Sequence, residues 1–172
     1  MNDHELSQHL VAVRDAEDRL LKSVDALDDA GLRAPSLLPG WTRGHVLAHV
    51  ALNAHSLVNL FMWARTGVET PQYPSWAERD AAIEDESAKS AAEHRAALVE
   101  AGEAFAGAAR SVPLERWAAQ VAGIAGTPQP AETFLFGRLR EVEIHHVDLD
   151  AGYGPADWPQ AFVRAVLEQV PD

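Results

Sequence analysis

The stretch Arg138–Asp150, which reads RLREVEIHHVDLD, constrains the fold more than any other part of the sequence. Its pattern predicts a helix, yet it carries carboxylates and imidazoles where a buried helix usually carries leucine and valine. Glu141 and His145 are four residues apart, so they lie one turn apart on one helical face, with Asp148 on the next turn. Apolar neighbours place this face at the edge of a core, where an acid must be paired or bind a metal. The chain therefore needs a facing helix that completes the site.

The rest of the sequence supplies such helices. Apolar residues recur at three- and four-residue steps in three further stretches, with charged residues between them. Thr42 is a good N-cap for the second of these helices, and Gly67 ends it. The predicted helices cover Asp3–Leu27, Thr42–Thr66, about Ala88–Ser111 and about Ala131–Ala151, and a short last helix covers Trp158–Val170. With no convincing strand pair, this pattern predicts an all-α four-helix bundle with long crossover loops.

Two long connections separate these helices. GVETPQYPSWAERDAAIEDES is predicted to be an ordered crossover loop that runs into a short helix starting at Trp76. Connections of this length are often functional lids or pocket walls. LERWAAQVAGIAGTPQPAE is rich in glycine and proline and is interpreted as an irregular excursion or a hairpin.

Composition narrows the function. The formal net charge of −12 argues against a nucleic-acid or anionic-membrane partner, because binding phosphates requires a basic patch. No run of eighteen apolar residues occurs, and the acidic N-terminus does not resemble a secretory signal, so we expect a cytoplasmic protein. Cysteine is absent, so any metal must be bound by His, Asp or Glu, and any thiol chemistry must use a thiol from outside.

The third ligand is expected from helix Thr42–Thr66. His45 and His49 are both candidates and are themselves four residues apart. His49 lies nearer the centre of the apolar stripe, so we choose it, and we interpret His45 as a supporting or surface residue. Three protein ligands would leave an open position, as in catalytic zinc sites. Fe²⁺, Ni²⁺ and Mn²⁺ also accept such ligands. The alternative is that Glu141 and His145 pair on a solvated face, since E-x-x-x-H often occurs by chance.

Asn53 and Asp148 are the candidate catalytic residues. Asn53 is interpreted equally well as a hydrogen-bonding group of the pocket or as a tolerated polar residue of the core. Asp148 can orient the imidazole of His145 or a bound ligand, and its alternative is a surface acid near a helix end. His146 and Asp150 lie on another face and are predicted to be exposed.

Three blocks of the sequence are distinctive: LPGWTRGHVLAHV (Leu38–Val50), NLFMWARTGVETPQYPS (Asn59–Ser75) and RLREVEIHHVDLDAGYG (Arg138–Gly154). Together they resemble a known family, the mycothiol-dependent maleylpyruvate isomerases, whose N-terminal domain is a DinB-like four-helix bundle that binds a metal. The family's zinc ligands are a histidine in the first block and the glutamate and histidine of the third. The resemblance therefore implies His49, Glu141 and His145, the same three residues that the facing argument selects.

The resemblance also implies an activity. The family reaction converts maleylpyruvate to fumarylpyruvate with the thiol mycothiol as cofactor. A thiolate adds to the activated alkene, the former double bond rotates, and the thiolate leaves. Zinc at an open site would lower the pKa of the thiol or polarise the conjugated carbonyl. The partners expected are therefore a small thiol and a small electrophilic substrate.

The sequence departs from the family in one respect. The family isomerases carry a further C-terminal domain, and residues 1–172 are expected to form a single bundle without it. Two alternatives follow for the function. One is a mycothiol S-transferase acting on an electrophile, and the other is a non-catalytic bundle that binds a metal or a partner. The oligomeric state does not follow from the sequence.

Overall fold

The structure is a computed structural model and describes residues 1–169. Its α-helices are α1 (Asp3–Val24), α2 (Asp29–Leu32), α3 (Arg43–Thr66), α4 (Trp76–Ser87), α5 (Ala91–Arg110), α6 (Thr133–Asp148) and α7 (Gln160–Leu167). The four long helices α1, α3, α5 and α6 form a bundle in which α1 and α3 each contact both α5 and α6. The predicted all-α four-helix bundle is confirmed.

Local sequence explains where the helices begin and end. Asn2, Thr42 and Ser90 cap α1, α3 and α5 through capping boxes, in which side chain and backbone exchange hydrogen bonds with the third helical residue. Gly67 ends α3 with φ of +76°, a left-handed conformation that glycine adopts without strain. The first helix stops at Val24, earlier than predicted, because the chain turns there and Asp28 caps the short α2.

The expectation that the chain has no strand pair is wrong. Strand β1 (Gln120–Ala122) pairs antiparallel with β2 (Pro128–Pro130), and Val121 lies opposite Gln129. Of the two interpretations of this glycine- and proline-rich stretch, the hairpin is correct. A two-stranded ribbon leaves outer edges on which proline, lacking an N–H group, breaks no ladder hydrogen bond. The hairpin packs against α3.

The long crossover contains a full helix, α4, as the sequence suggested. Ser75 caps it, and its Ile83 is buried. Helix α4 packs along α3, and the last residue of α4 lies very close to the first turn of α3. A β-carbon at Gly44 would overlap the carbonyl oxygen of Ser87. Glycine at this position therefore allows the crossover to lie against the first turns of α3.

Helix α3 is the centre of the molecule. Among the described residues it is the one helix long and apolar enough to cross a membrane by length and composition, with a mean hydropathy of 1.3 over its most apolar window. However, 67% of that window is buried inside the bundle. A core helix of a globular protein meets the same criteria, and the contacts of α3 with α4, α5 and α6 place it in this class.

The last predicted helix, Trp158–Val170, is confirmed as the shorter α7, and Val170 lies outside the described residues. Pro159 precedes its first residue, where a missing N–H group costs nothing. Phe162 of α7 is buried against Phe136 and Trp158, as its apolar pattern predicted.

A fully buried arginine joins three of the long helices. Arg138 of α6 is 0% exposed, and its guanidinium donates to the carboxylate of Glu17 on α1 at 2.8 Å. It also donates to the backbone carbonyl of Val50 at 2.7 Å and to Oδ1 of Asn53 at 3.1 Å, both on α3. A buried charge is tolerated only when it is paired and hydrogen-bonded, and these acceptors meet that condition.

We therefore expect Arg138→Met to lower the free energy of unfolding by about 3 kcal/mol, because it leaves buried acceptors without a donor. The exposed neighbour Arg140 provides the control, since Arg140→Met should change the value by less than about 0.5 kcal/mol. Urea unfolding followed by circular dichroism measures both. Equal values for the two variants would contradict the structural role.

Adding Glu17→Gln to Arg138→Met should cost less than the two single changes together.

Candidate metal centre

Three side chains from two helices converge at one point of the bundle. Nε2 of His49 on α3 lies 3.0 Å from Oε2 of Glu141 and 3.0 Å from Nε2 of His145, both on α6. The remaining distance, from His145 Nε2 to Glu141 Oε2, is 3.4 Å. The predicted facing of the two helices is therefore correct, and these residues form a group that could hold a metal ion.

The spacing of these atoms fits a cation. A tetrahedral site with bonds of 2.0–2.1 Å places its ligand atoms about 3.3 Å apart. Two imidazole nitrogens only 3.0 Å apart cannot both carry a proton between them without repulsion. A shared cation satisfies both lone pairs and the carboxylate together. His49 is buried at 5% exposure, whereas the side chain of Glu141 is 30% exposed, so the group opens to solvent on the side of Glu141.

Asp148 occupies the orienting position that the sequence suggested. Its Oδ2 lies 2.9 Å from Nδ1 of His145. A carboxylate can only accept here, so Nδ1 of His145 carries a proton, and Nε2, which points at His49 and Glu141, is the nitrogen left for a metal. This arrangement of carboxylate, imidazole and metal position is common in protein metal sites and fixes the ring orientation.

The ionisable groups of the cluster alter one another's pKa. Burial lowers the pKa of His49 below its usual 6.5, against the opposing effect of Glu141. Burial also opposes charge on His145 and Glu141, but their mutual hydrogen bond outweighs it. As a result the pKa of His145 lies above 6.5 and that of Glu141 lies far below 4.5. At neutral pH Glu141 is therefore ionised, which suits a cation ligand.

Hydrogen bonds to the backbone carbonyls at the end of α6 hold α3 and α6 in register. Arg43, at the start of α3, donates to the carbonyl oxygen of Leu149 at 2.9 Å and to that of Asp150 from a second nitrogen at 2.6 Å. The amide of Leu37 donates to the carbonyl of Asp148. These contacts cap the end of α6 immediately after His145. Trp41 packs against the ring of His49, with centroids 5.7 Å apart.

The two other candidates from α3 have different positions. His45 uses Nδ1 to cap its own helix at Thr42 and lies 3.0 Å from Glu84 through Nε2, so it does not join the cluster. Asn53 is one turn beyond His49, buried, and its Oδ1 accepts from Arg138. Asn53 therefore contacts the structural arginine, and its catalytic role stays a prediction.

Sequence reasoning missed two residues of the crossover. Arg79 of α4 donates from Nη2 to Nδ1 of His49 at 3.2 Å. Tyr73, six residues earlier, has a buried hydroxyl without a hydrogen-bond partner among the described residues. The length of the crossover had indicated a pocket wall, but no periodicity connects its residues to particular positions on α3 or α6.

The prediction that His146 is exposed is wrong, whereas Asp150 is exposed as expected. His146 is 1% exposed, because α6 packs against α1 on the face opposite the cluster. Its Nε2 lies 2.7 Å from Ser23 Oγ, and its ring stacks on Tyr153 with centroids 3.7 Å apart. Glu143 was not singled out by the sequence. It is 1% exposed and accepts hydrogen bonds from Tyr153 and Arg19.

The fold and the cluster together define a class: an all-α bundle with an open His–Glu–His site between two of its long helices. The comparisons agree. Residues 13–150 match the family model described as the mycothiol maleylpyruvate isomerase N-terminal domain. The chain belongs to this family, and its bundle is of the DinB-like type.

Solved structures give the same result. The chain resembles the crystal structure of a mycothiol-dependent maleylpyruvate isomerase with 34% identity and a TM-score of 0.88, over 96% of this chain and 70% of that one. A variant of that isomerase with histidine replaced by alanine matches with 33% identity, a TM-score of 0.88 and the same coverage. The search of curated proteins found no match.

The burial of His146 makes stability depend on pH. Burial lowers its pKa to about 4 from 6.5, so the unfolded chain binds the proton more tightly between these values. The contribution is fully present above pH 6.5 and decreases as the pH falls towards 4. Relative to His146→Gln, the wild type should lose at most about 3 kcal/mol over this window. Urea unfolding at a series of pH values, with chelator present, measures the difference.

The exposed His4 on α1 is the control for this change. His4→Gln should keep the pH dependence of the wild type. If His146→Gln and the wild type instead show parallel curves between pH 6.5 and 4, the imidazole is not held neutral by the fold.

Proposed function

We propose that this protein is a zinc-dependent enzyme that uses mycothiol to isomerise maleylpyruvate to fumarylpyruvate. The convergence of His49, Glu141 and His145 is the observation that carries the proposal, together with membership of a family named for this reaction. Both solved structures compared above are named as mycothiol-dependent maleylpyruvate isomerases. We place the enzyme in the cytoplasm, where small thiols are kept reduced.

The residues of the site support this chemistry. His49, Glu141 and His145 would hold the metal through three ligands and leave a position open towards the exposed side of Glu141. A metal bound there supplies Lewis-acid activation, lowering the pKa of a thiol or polarising a carbonyl. Asp148 keeps the Nε2 lone pair of His145 directed at the metal position. Because the chain has no cysteine, the thiol nucleophile has to come from the cofactor.

The proposed ligands predict the zinc content. Purified wild type should bind about one equivalent of zinc, and His49→Ala should lose it. His45→Ala is the matched control and should retain zinc, because His45 points away from the cluster towards Glu84. Asp148→Asn should lower the zinc affinity about 10- to 100-fold through its contact with His145. Equilibrium dialysis with metal analysis measures all four proteins.

Unchanged zinc content in both His49→Ala and Glu141→Ala would rule out the proposed site. If zinc is lost in His45→Ala but retained in His49→Ala, the ligand from α3 is His45 and not His49.

The reaction itself has a direct assay. Zinc-loaded protein incubated with mycothiol and maleylpyruvate should remove the absorbance of the cis-enone, and no change should occur without the thiol. Glu141→Ala should reduce the rate at least about 100-fold, while His45→Ala should keep it near the wild-type value. Mass spectrometry of the products separates isomerisation from S-transfer, since only transfer leaves the thiol bound to the electrophile. A stable conjugate without isomerised product would favour the S-transferase alternative.

A further inference from the structure

Arg79 occupies an unusual position for a residue beside a metal centre. Its guanidinium donates to Nδ1 of His49 at 3.2 Å and to Asp80 at 2.6 Å, and it lies 5.5 Å from the ring centre of Trp76. Asp80 and Trp76 are both exposed, at 64% for the side chain of Asp80 and 55% for Trp76. The partners of Arg79 other than His49 are therefore exchangeable with solvent.

The hydrogen bond from Arg79 to Nδ1 of His49 would not persist with a metal bound to Nε2. A guanidinium only donates, so Nδ1 of His49 accepts and the ring proton sits on Nε2. That proton points at Glu141 and His145, the position the metal would take. A metal bound to Nε2 requires the proton on Nδ1 instead, and two donors then face each other. An anionic oxygen that accepts from both donors resolves this conflict.

Tyr73, six residues before Arg79 on the same crossover, carries a further hydroxyl donor. Its hydroxyl is buried and has no hydrogen-bond partner among the described residues. Burial raises the pKa of Tyr73, while the nearby hydroxyl of Ser56 and the charge of Arg79 lower it. The segment is held in place because Gln72 donates to Ser56 on α3 at 3.0 Å. A buried donor without an acceptor costs free energy, which a bound acceptor would recover.

The charge of the chain favours a local cation for an anionic ligand. The net charge is −12, so positive charge placed at the site helps a carboxylate to bind there. Arg79 is the guanidinium in contact with the cluster, and its planar fork suits a carboxylate.

We propose that Arg79 and Tyr73 form an anion-binding subsite that takes a carboxylate of the small-molecule substrate next to the metal centre. The inference rests on the proposed function for the metal at His49, Glu141 and His145. It assigns binding of a substrate carboxylate, rather than metal ligation, to the α4 crossover.

Maleate, a short cis-dicarboxylate, is the probe, and isothermal titration of zinc-loaded protein without thiol measures its affinity. Arg79→Met should weaken maleate binding about 10- to 100-fold, and Tyr73→Phe about tenfold. Arg79→Lys should fall between Arg79→Met and the wild type, since lysine keeps the charge but loses the fork. Neutral maleamide should show no dependence on Arg79. Arg95→Met, at an exposed pair with Asp25 on the bundle surface, is the control.

Zinc affinity separates this role from a merely structural one. Arg79→Met removes the donor that opposes a metal-bound His49, so its zinc affinity should equal or exceed that of the wild type. A loss of zinc in Arg79→Met would mean that the arginine positions His49, and it would overturn the subsite. Wild-type maleate affinity in zinc-loaded Arg79→Met would overturn it as well.

The outcome for the subsite is distinguishable from that for the reaction. If the wild type binds maleate through Arg79 but does not isomerise maleylpyruvate, the subsite stands and the proposed reaction fails. If the wild type isomerises maleylpyruvate and Arg79→Met leaves KM unchanged, the reaction stands and the subsite fails.

Discussion

The buried guanidinium of Arg138 is the interaction on which the site depends. It lies three residues before Glu141 on α6, and its acceptors on α3 are Val50, adjacent to His49, and Asn53, one turn further on. A helix advances 1.5 Å and turns about 100° per residue, so a slip of one residue between α3 and α6 would remove His49 from the cluster. Apolar packing alone tolerates such slips more readily than directional hydrogen bonds do. Arg138 therefore fixes the register that brings the three side chains together.

Directional hydrogen bonds fix the helices at both ends of the site. Below the cluster, Arg138 joins α6 to α1 and α3. Above it, Arg43 holds the last carbonyls of α6, and Asp148 holds the ring of His145. A site on rigid helices with supported side chains keeps its geometry better than one on loops. This support explains how an acid and two imidazoles are held close together in a region that is largely buried.

Sequence reasoning reached the cluster because its signals are local. Glu141 and His145 share a face by spacing, and His49 lies on the apolar stripe of α3, so helical geometry favoured their meeting and the family resemblance implied the same three residues. His146 was assigned wrongly because periodicity identifies one buried face, whereas α6 is covered by α3 on one side and by α1 on the other. Arg79 was missed for a different reason. Its contact with His49 depends on how the crossover folds back, aided by Gly44, and no spacing rule encodes that path.

Arg138 and Arg79 show how one residue type serves two purposes in this bundle. Arg138 is fully buried, and its acceptors come from α1 and α3, so moving it would leave several polar groups without partners. Arg79 is on the crossover, its other contacts face solvent, and the proposed metal on Nε2 of His49 would remove one of its hydrogen bonds. A guanidinium whose acceptors can be replaced is available to bind a ligand. A guanidinium that holds several buried acceptors is not. The difference in partners supports a framework role for Arg138 and is consistent with the recognition role proposed for Arg79.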